Sequence, residues 1–210
     1  MLFRSPSKSS LQRTAQKLNS EFWNRVLKAT SSQAYIIAID STGFSRTNPS
    51  YHYLRRISGA IPKIPVKASI AFDTRKKKAL AAKIRVLPSH DIRDAKQLIM
   101  QSQPKVVVAD KAYDAAWLHE YCQEQGIKAH IPIRGYGKPR FHRWDARQKA
   151  IEHFRLRTYH RREMAESGNH SIKQTMGSSV SSKKAVTIRT EIYGRLACHN
   201  LFSWLLEIRD

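Results

Sequence analysis

Two short apolar runs end on aspartates: residues 35–39 (Tyr-Ile-Ile-Ala-Ile) run into Asp40, and residues 106–109 (Val-Val-Val-Ala) run into Asp110. Runs of four or five continuous apolar residues are too short for buried helices and too uniform for half-exposed strands. They read as central strands covered on both faces, which requires a layered α/β arrangement. Residues 66–72 and 79–86 flank the basic stretch Asp73-Thr-Arg-Lys-Lys-Lys78 and predict an antiparallel hairpin. Pro88-Ser89-His90-Asp91 opens a predicted helix to Gln101, with Ser89 or Asp91 as its cap. A second helix is predicted over 113–125, stopped by Gly126, and a further strand over 127–131 before Pro132. At the N-terminus, Leu11, Ala15, Leu18, Phe22 and Val26 recur at helical spacing and predict one amphipathic helix.

The resulting order is strand, strand, strand, helix, strand, helix, strand, helix. It is the order of a ribonuclease H-like fold, an α/β class in which a mixed sheet has three antiparallel strands followed by parallel ones. In such sheets ligands gather at strand ends near the switch in topology, where Asp40 and Asp110 are expected side by side. The chain has 210 residues, 41% of them hydrophobic. That is enough for one sizeable core and too little for two ordinary domains. The expectation is a basic helical arm over 1–34 and a single domain over 35–210.

Lys and Arg number 38 against 16 acidic residues, a formal charge of +22. Such a balance suits a chain that works on a polyanion, with nucleic acid first and a ribosomal or membrane-surface role as alternatives. Neither a secretory leader nor an apolar stretch of about 18 to 20 residues is present, so a cytoplasmic protein without membrane contact is expected. Cys122 and Cys198 are far apart and lack a Cys-x2-Cys spacing, which argues against a disulfide framework or a zinc site and for two small core residues. No His-Glu-x2-His pattern or Gly-rich nucleotide loop occurs.

Tyr159, Arg162, Glu166 and Lys173 follow the spacing Tyr-x2-Arg-x3-Glu-x6-Lys. At about 100° per residue a helix would hold all four on one face, setting a carboxylate beside three phosphate-seeking groups. Phosphodiester chemistry uses hard-oxygen ligands for two Mg²⁺ (or Mn²⁺) ions, and three carboxylates suffice because water and phosphate complete the coordination. Asp40, Asp110 and Glu166 are the candidates. Residues 134–162 add ten basic residues against Asp145 and Glu152, interleaved with Tyr136, Phe141, Trp144, Phe154 and Tyr159. This mixture suits distorted or single-stranded DNA, with Arg134, Lys138, Arg140, Arg143 and Trp144 as candidate contacts.

Each acid has a structural alternative. Asp40 could organise an Asp-Ser-Thr-Gly turn, Asp110 could cap the following helix in competition with Asp114, and Glu166 could pair with Arg162 one turn earlier. Trp144 and Phe154 could instead anchor a basic surface helix to the core. Gly168 inside the last helix is expected to loosen it, leaving Lys173 to be held by packing and DNA.

The chain resembles the DDE transposases of bacterial and archaeal insertion sequences, in the group with the Tyr-Arg-Glu-Lys signature. The resemblance rests on Ile37-Ala-Ile-Asp-Ser-Thr-Gly43, Val107-Val-Ala-Asp-Lys-Ala-Tyr-Asp114, the stretch from Tyr159 to Lys173, Gly177 and Cys198-His-Asn-Leu201. It implies that Asp40, Asp110 and Glu166 form a metal-binding catalytic triad, and that Tyr159, Arg162 and Lys173 contact phosphates around the cut. It also implies hydrolysis at element ends followed by strand transfer into target DNA, with double-stranded DNA as partner, a homodimer pairing two ends in a synaptic complex, and a prokaryotic, nucleoid-associated location. Ala112 stands where the family commonly has Gly, and only about 34 residues precede the first strand. A truncated or repurposed transposase that binds DNA without catalysis is therefore the first alternative. The second is a ribonuclease H-like structure-specific nuclease.

Overall fold

The computed structural model describes residues 5–46, 65–135 and 145–209. Five strands form the main sheet: β1 (Ile36–Arg46), β2 (Val66–Asp73), β3 (Ala79–Arg85), β4 (Val106–Ala109) and β5 (Lys128–His130), in the order β3-β2-β1-β4-β5. β1, β2 and β3 pair antiparallel, whereas β4 and β5 run parallel to β1. This is the ribonuclease H-like arrangement expected from the element order. A two-residue strand, β6 (Ser179–Val180), pairs parallel with the far end of β1 at Ser45 and Arg46.

Helices cover both faces. Against one pack α2 (Ser20–Ala29), α7 (Glu163–Met176) and α8 (Ala185–Arg209), burying Leu27, Phe44, Phe72, Ile172 and Tyr193. Against the other pack α3 (Ile92–Ser102) and α4 (Ala116–Glu124), burying Ile37, Ile39, Leu98, Leu118 and Cys122. α5 (Asp145–His153) lies beside α4 and β5. In β1, Ala38 joins the first core while Ile37 and Ile39 join the second. Strand alternation therefore puts Asp40 on the face covered by α7. In β4, Val108 joins the first core and Val107 and Ala109 the second, so the residue that follows, Asp110, continues toward the same face.

Several elements differ from expectation. β1 does not turn at Asp-Ser-Thr-Gly but runs through it to Arg46, because Phe44 is buried and β2 pairs with it up to Phe44. Asp40 thus lies mid-strand, opposite Ile70, while β4 ends beside it. The N-terminal helix is broken into α1 (Lys8–Lys17) and α2, since the Asn19 side chain accepts from the Phe22 amide and starts a new helix. α2 is part of the core, with Leu27 fully buried. The helix expected over 113–125 is a 3-10 turn, Lys111–Tyr113, followed by α4. Neither Ser89 nor Asp91 caps α3 by a side-chain bond, and Asp91 instead pairs with Lys67. Cys198 is exposed, contrary to the core position expected for both cysteines.

The outer edge of β3 is closed by side chains. Asn200 on α8 accepts from the Ala79 amide and donates to the Ala79 carbonyl, both at 2.8 Å. Asn24 on α2 treats Ala82 in the same way, at 2.9 and 3.2 Å. Each amide imitates the peptide group of a missing strand, satisfying an edge that would otherwise be left open.

Candidate active site

The four signature residues do not lie on one straight helix. Tyr159 ends α6 (Leu156–Tyr159), Arg162 closes a 3-10 turn (His160–Arg162), and Glu166 and Lys173 lie on α7. The short turn packs on β1 and β4 and still brings the four near the sheet. The Arg162 guanidinium pairs with Glu166 at 2.6 Å and sits 5.9 Å from the centre of the Tyr159 ring. Lys173 lies farther along β1, its ammonium 5.7 Å from the centre of the Phe44 ring.

Asp40 meets this helix directly. Asn169, one turn beyond Glu166, donates from Nδ2 to Asp40 Oδ2 at 2.9 Å. Burial pushes the Asp40 carboxyl above its ordinary range, opposed by the Ser41 backbone, Asn169 and Arg162 and reinforced by the charge of Glu166. A carboxylate whose ionisation is disfavoured by burial and by a like charge is one that a cation would stabilise. The Asn169 amide is buried, and its Oδ1 has no hydrogen-bond partner. Sequence spacing could not single out Asn169, because the signature does not include it and its partner is 129 positions away.

Gly168 makes this approach possible. A Cβ built there would lie 2.8 Å from Cε1 of the buried Phe72 ring on β2, so only Gly lets α7 come this close to the sheet. The expected loosening of the helix is not seen, since α7 continues unbroken to Met176.

Asp110 caps the 3-10 turn that follows β4, its Oδ1 accepting from the Ala112 amide at 2.5 Å. Tyr113, at the end of that turn, is buried and hydrogen-bonded to Ser41, with Ser41 bonded to Ser69 and Ser69 to Asp94. Because Asp94 can only accept, the donors run Tyr113 to Ser41 to Ser69 to Asp94, where Arg85 neutralises the chain at 2.5 Å. The turn bearing Asp110 is thereby tied to the middle of the sheet. Burial, ahead of the nearby carboxylates, pushes the Tyr113 hydroxyl far above its usual range and keeps it a donor.

Asp114 is a clamp. Its buried carboxylate meets the His119 ring at 3.1 Å and accepts from the Arg134 amide and from Arg147 on α5, both at 2.7 Å. Burial alone would raise this carboxyl, but those donors hold it below its ordinary range. Arg134 in turn donates from Nε to the Lys111 carbonyl at 2.7 Å, next to Asp110. Arg134 is exposed there, with its backbone and side chain both fixed. Lys138, Arg140, Arg143 and Trp144 lie outside the described residues.

Among the described residues, no three His, Cys, Asp or Glu side chains stand close enough together to hold a metal ion. The donor set nevertheless fits a hard divalent cation: carboxylates at Asp40 in β1 and at Asp110 just past the end of the adjacent β4, and a buried amide oxygen at Asn169 without a partner. Glu166 is turned to Arg162, the alternative that the spacing left open, and Asp110 caps its turn in the same sense. Glu191 accepts from the Ser181 and Ser182 amides and pairs with Arg195, anchoring the start of α8.

Residues 31–201 match the family model of the transposase DDE domain. No curated protein matches the chain. Among solved structures, the catalytic core domain of BIV integrase aligns at 13% identity with a TM-score of 0.40, covering 80% of this chain and 82% of that one. A piggyBac transposase, in a synaptic complex with hairpin DNA, aligns at 11% identity with a TM-score of 0.49. That alignment covers 94% of this chain and 54% of the other, so this chain spans about half the length of that transposase. With Asp40, Asp110 and the Tyr159–Lys173 signature all inside the matched span, the chain belongs to the DDE-domain transposases, a family of enzymes that cleave DNA and transfer its strands.

Proposed function

We propose that this chain cuts DNA at element ends and transfers the freed strand, with Asp40, Asp110 and Glu166 as the carboxylates that hold divalent metal. The observation that carries this reading is the placement of Asp40 in mid-β1, beside the end of β4, on the face that α7 crosses. Bound Mg²⁺ or Mn²⁺ would supply charge to the scissile phosphate and activate the attacking oxygen. The protein's own share is positioning: Asn169 orients Asp40, the Ala112 amide orients Asp110, and α7 carries Glu166 within electrostatic reach of Asp40. When Glu166 turns toward Asp40, Arg162 is released to a phosphate oxygen. Tyr159, Lys173 and Arg134 contribute further phosphate contacts, as would Lys138, Arg140, Arg143 and Trp144. The partners are double-stranded DNA at the element ends and the target, bound by a homodimer that pairs two ends. In this reading the catalytic domain of 35–210 takes α2 into its core, the basic stretch through α1 serves as the arm, and a cytoplasmic, nucleoid-associated location goes with this substrate. No helix among the described residues is long and apolar enough to cross a membrane.

Nicking of supercoiled plasmid in Mg²⁺ and Mn²⁺ tests the reading, comparing the chain with Asp110→Asn. Metal-dependent nicking lost in the variant supports it. Equal results from both, with DNA still bound, favour a second reading in which a transposase remnant binds DNA without chemistry. The Arg162–Glu166 ion pair, which keeps the third carboxylate away from the other two, is the observation on that side. Cutting without strand joining would instead indicate a structure-specific nuclease.

A further inference from the structure

Away from the acids, a groove of about 670 Å³ opens at the outer edge of the sheet, between the α1–α2 junction, the end of β3 and the first turns of α3 and α8. Lys83, Arg85, Arg93 and Arg189 line it, and no Asp or Glu does. Arg85 is neutralised by the buried Asp94. Lys83, Arg93 and Arg189 have no acidic partner among the described residues, and both arginines are exposed. Three uncompensated cations around one concavity repel one another and focus a positive potential into it, an arrangement that a polyanion relieves.

The groove stands at the same end of the sheet as the candidate site. Arg85 pairs with Lys67 on β2, and Val66 with Phe44 on β1, beyond Asp40. Two strand spacings, about 10 Å, separate β1 from β3. At about 3.4 Å per nucleotide, a DNA strand leaving the acids would reach the groove within roughly three to five nucleotides. The hydrogen-bonded chain from Tyr113 to Asp94 and Arg85 ties the groove wall to the turn that carries Asp110.

We propose that this groove is a second phosphate track, binding the backbone of the DNA that flanks the scissile bond through Lys83, Arg93 and Arg189. The proposal rests on the reading of the chain as a DNA-cutting protein, and it adds phosphate-binding groups that the Tyr-Arg-Glu-Lys signature does not include.

The test is binding of a labelled duplex of about 25 base pairs, followed by fluorescence anisotropy across a salt series. The proteins are the wild type, the groove variant Lys83→Ala/Arg93→Ala/Arg189→Ala, its charge-keeping counterpart Lys83→Arg/Arg93→Lys/Arg189→Lys, and a control, Lys28→Ala/Lys105→Ala/Lys128→Ala. The control removes the same charge from exposed positions toward the opposite end of the sheet. The slope of log affinity against log salt should fall by about 2 to 3 in the groove variant, at about 0.9 for each phosphate that is no longer neutralised. It should remain near the wild-type value in the other two. A wild-type slope in the groove variant, or an equal fall in the control, overturns the track while leaving DNA binding itself standing. The same proteins are titrated in parallel with labelled polyglutamate, and loss of its binding in the groove variant with an unchanged DNA slope would assign the groove to an acidic polypeptide and overturn the track as well. A wild type without salt-dependent DNA binding would sink the underlying reading, and the track with it.

Discussion

Asp40 is held half-buried in mid-strand, and burial together with Glu166 sets its carboxyl above the ordinary aspartate range. A group whose folded pKa is raised contributes stability that is full below its unfolded pKa, near 3.8, and is lost as pH rises through the folded value. At neutral pH the ionised Asp40 is therefore a cost to folding. Asp40→Asn should abolish cutting yet raise the melting temperature at pH 7 by about 2–4 °C, the equivalent of about 1 kcal/mol in a chain of this size. The gain should shrink as pH falls, and added Mn²⁺ should shrink it too by stabilising only the wild type. Differential scanning fluorimetry at two pH values, with and without Mn²⁺, reads all three effects, and an unstabilised variant would remove the strain from Asp40. Asn169→Ala should weaken Mn²⁺ binding by calorimetry about tenfold, the usual scale for a partner that orients a metal ligand. Asp40 and Asp110 are legible in sequence because each follows an apolar strand run. Asn169 is not, because its partner is chosen by tertiary approach alone.

At the level of elements, α7 shows how the sequence pattern and the observed packing diverge. The Tyr-Arg-Glu-Lys spacing predicts one continuous helical face, and the chain instead inserts a 3-10 turn between Tyr159 and Glu163, where the segment packs on β1 and β4. The signature residues still gather because Tyr159 and Arg162 are i to i+3 neighbours, which a 3-10 turn stacks, and Arg162 meets Glu166 as an i to i+4 pair across the start of α7. Propensity alone makes Gly168 a weak point, favouring Ala by about 1 kcal/mol. The buried Phe72 ring reverses that sign: overpacking a core typically costs about 1–3 kcal/mol, so Gly168→Ala should be net destabilising and should displace Asn169 from Asp40. Phe72→Leu in the same chain should recover part of the loss, and a double-mutant cycle in urea measures that coupling. Asn200→Ala leaves the Ala79 amide and carbonyl without partners and should cost about 2–4 kcal/mol. Asn24→Ala should cost less, because Tyr193 still donates to the Ala82 carbonyl at 2.6 Å. The Cys198-His-Asn-Leu201 stretch thus has a structural use, closing an edge strand, that no reading of one sequence could supply.

For the molecule as a whole, a charge of +22 suits a polyanionic partner but leaves the folded chain to contain its own repulsion. Two buried histidines bring that balance to a pH limit. Burial, followed by the charges of Arg155, Lys128 and His153, lowers His130, whose Nδ1 accepts from the Arg155 amide at 3.0 Å and so must stay unprotonated. Burial also lowers His199, which meets the Lys77 carbonyl at 3.2 Å where the basic β2–β3 turn rests on α8. For a base whose folded pKa is depressed, the unfolded chain binds the extra proton, so stability is complete above the unfolded value near 6.5 and falls as pH drops below it. Each site can contribute up to about 1.4 kcal/mol per pH unit. Urea melts between pH 7.5 and about 5 should show stability falling steeply below 6.5. His199→Gln, which keeps a donor for Lys77 without a titrating ring, should flatten that fall by about half. A bound duplex neutralises the surface charge but leaves the buried rings unchanged, so DNA should raise the whole curve and preserve its bend near pH 6.5. A bend that disappears on DNA binding would place the acid sensitivity in surface repulsion and not in His130 and His199.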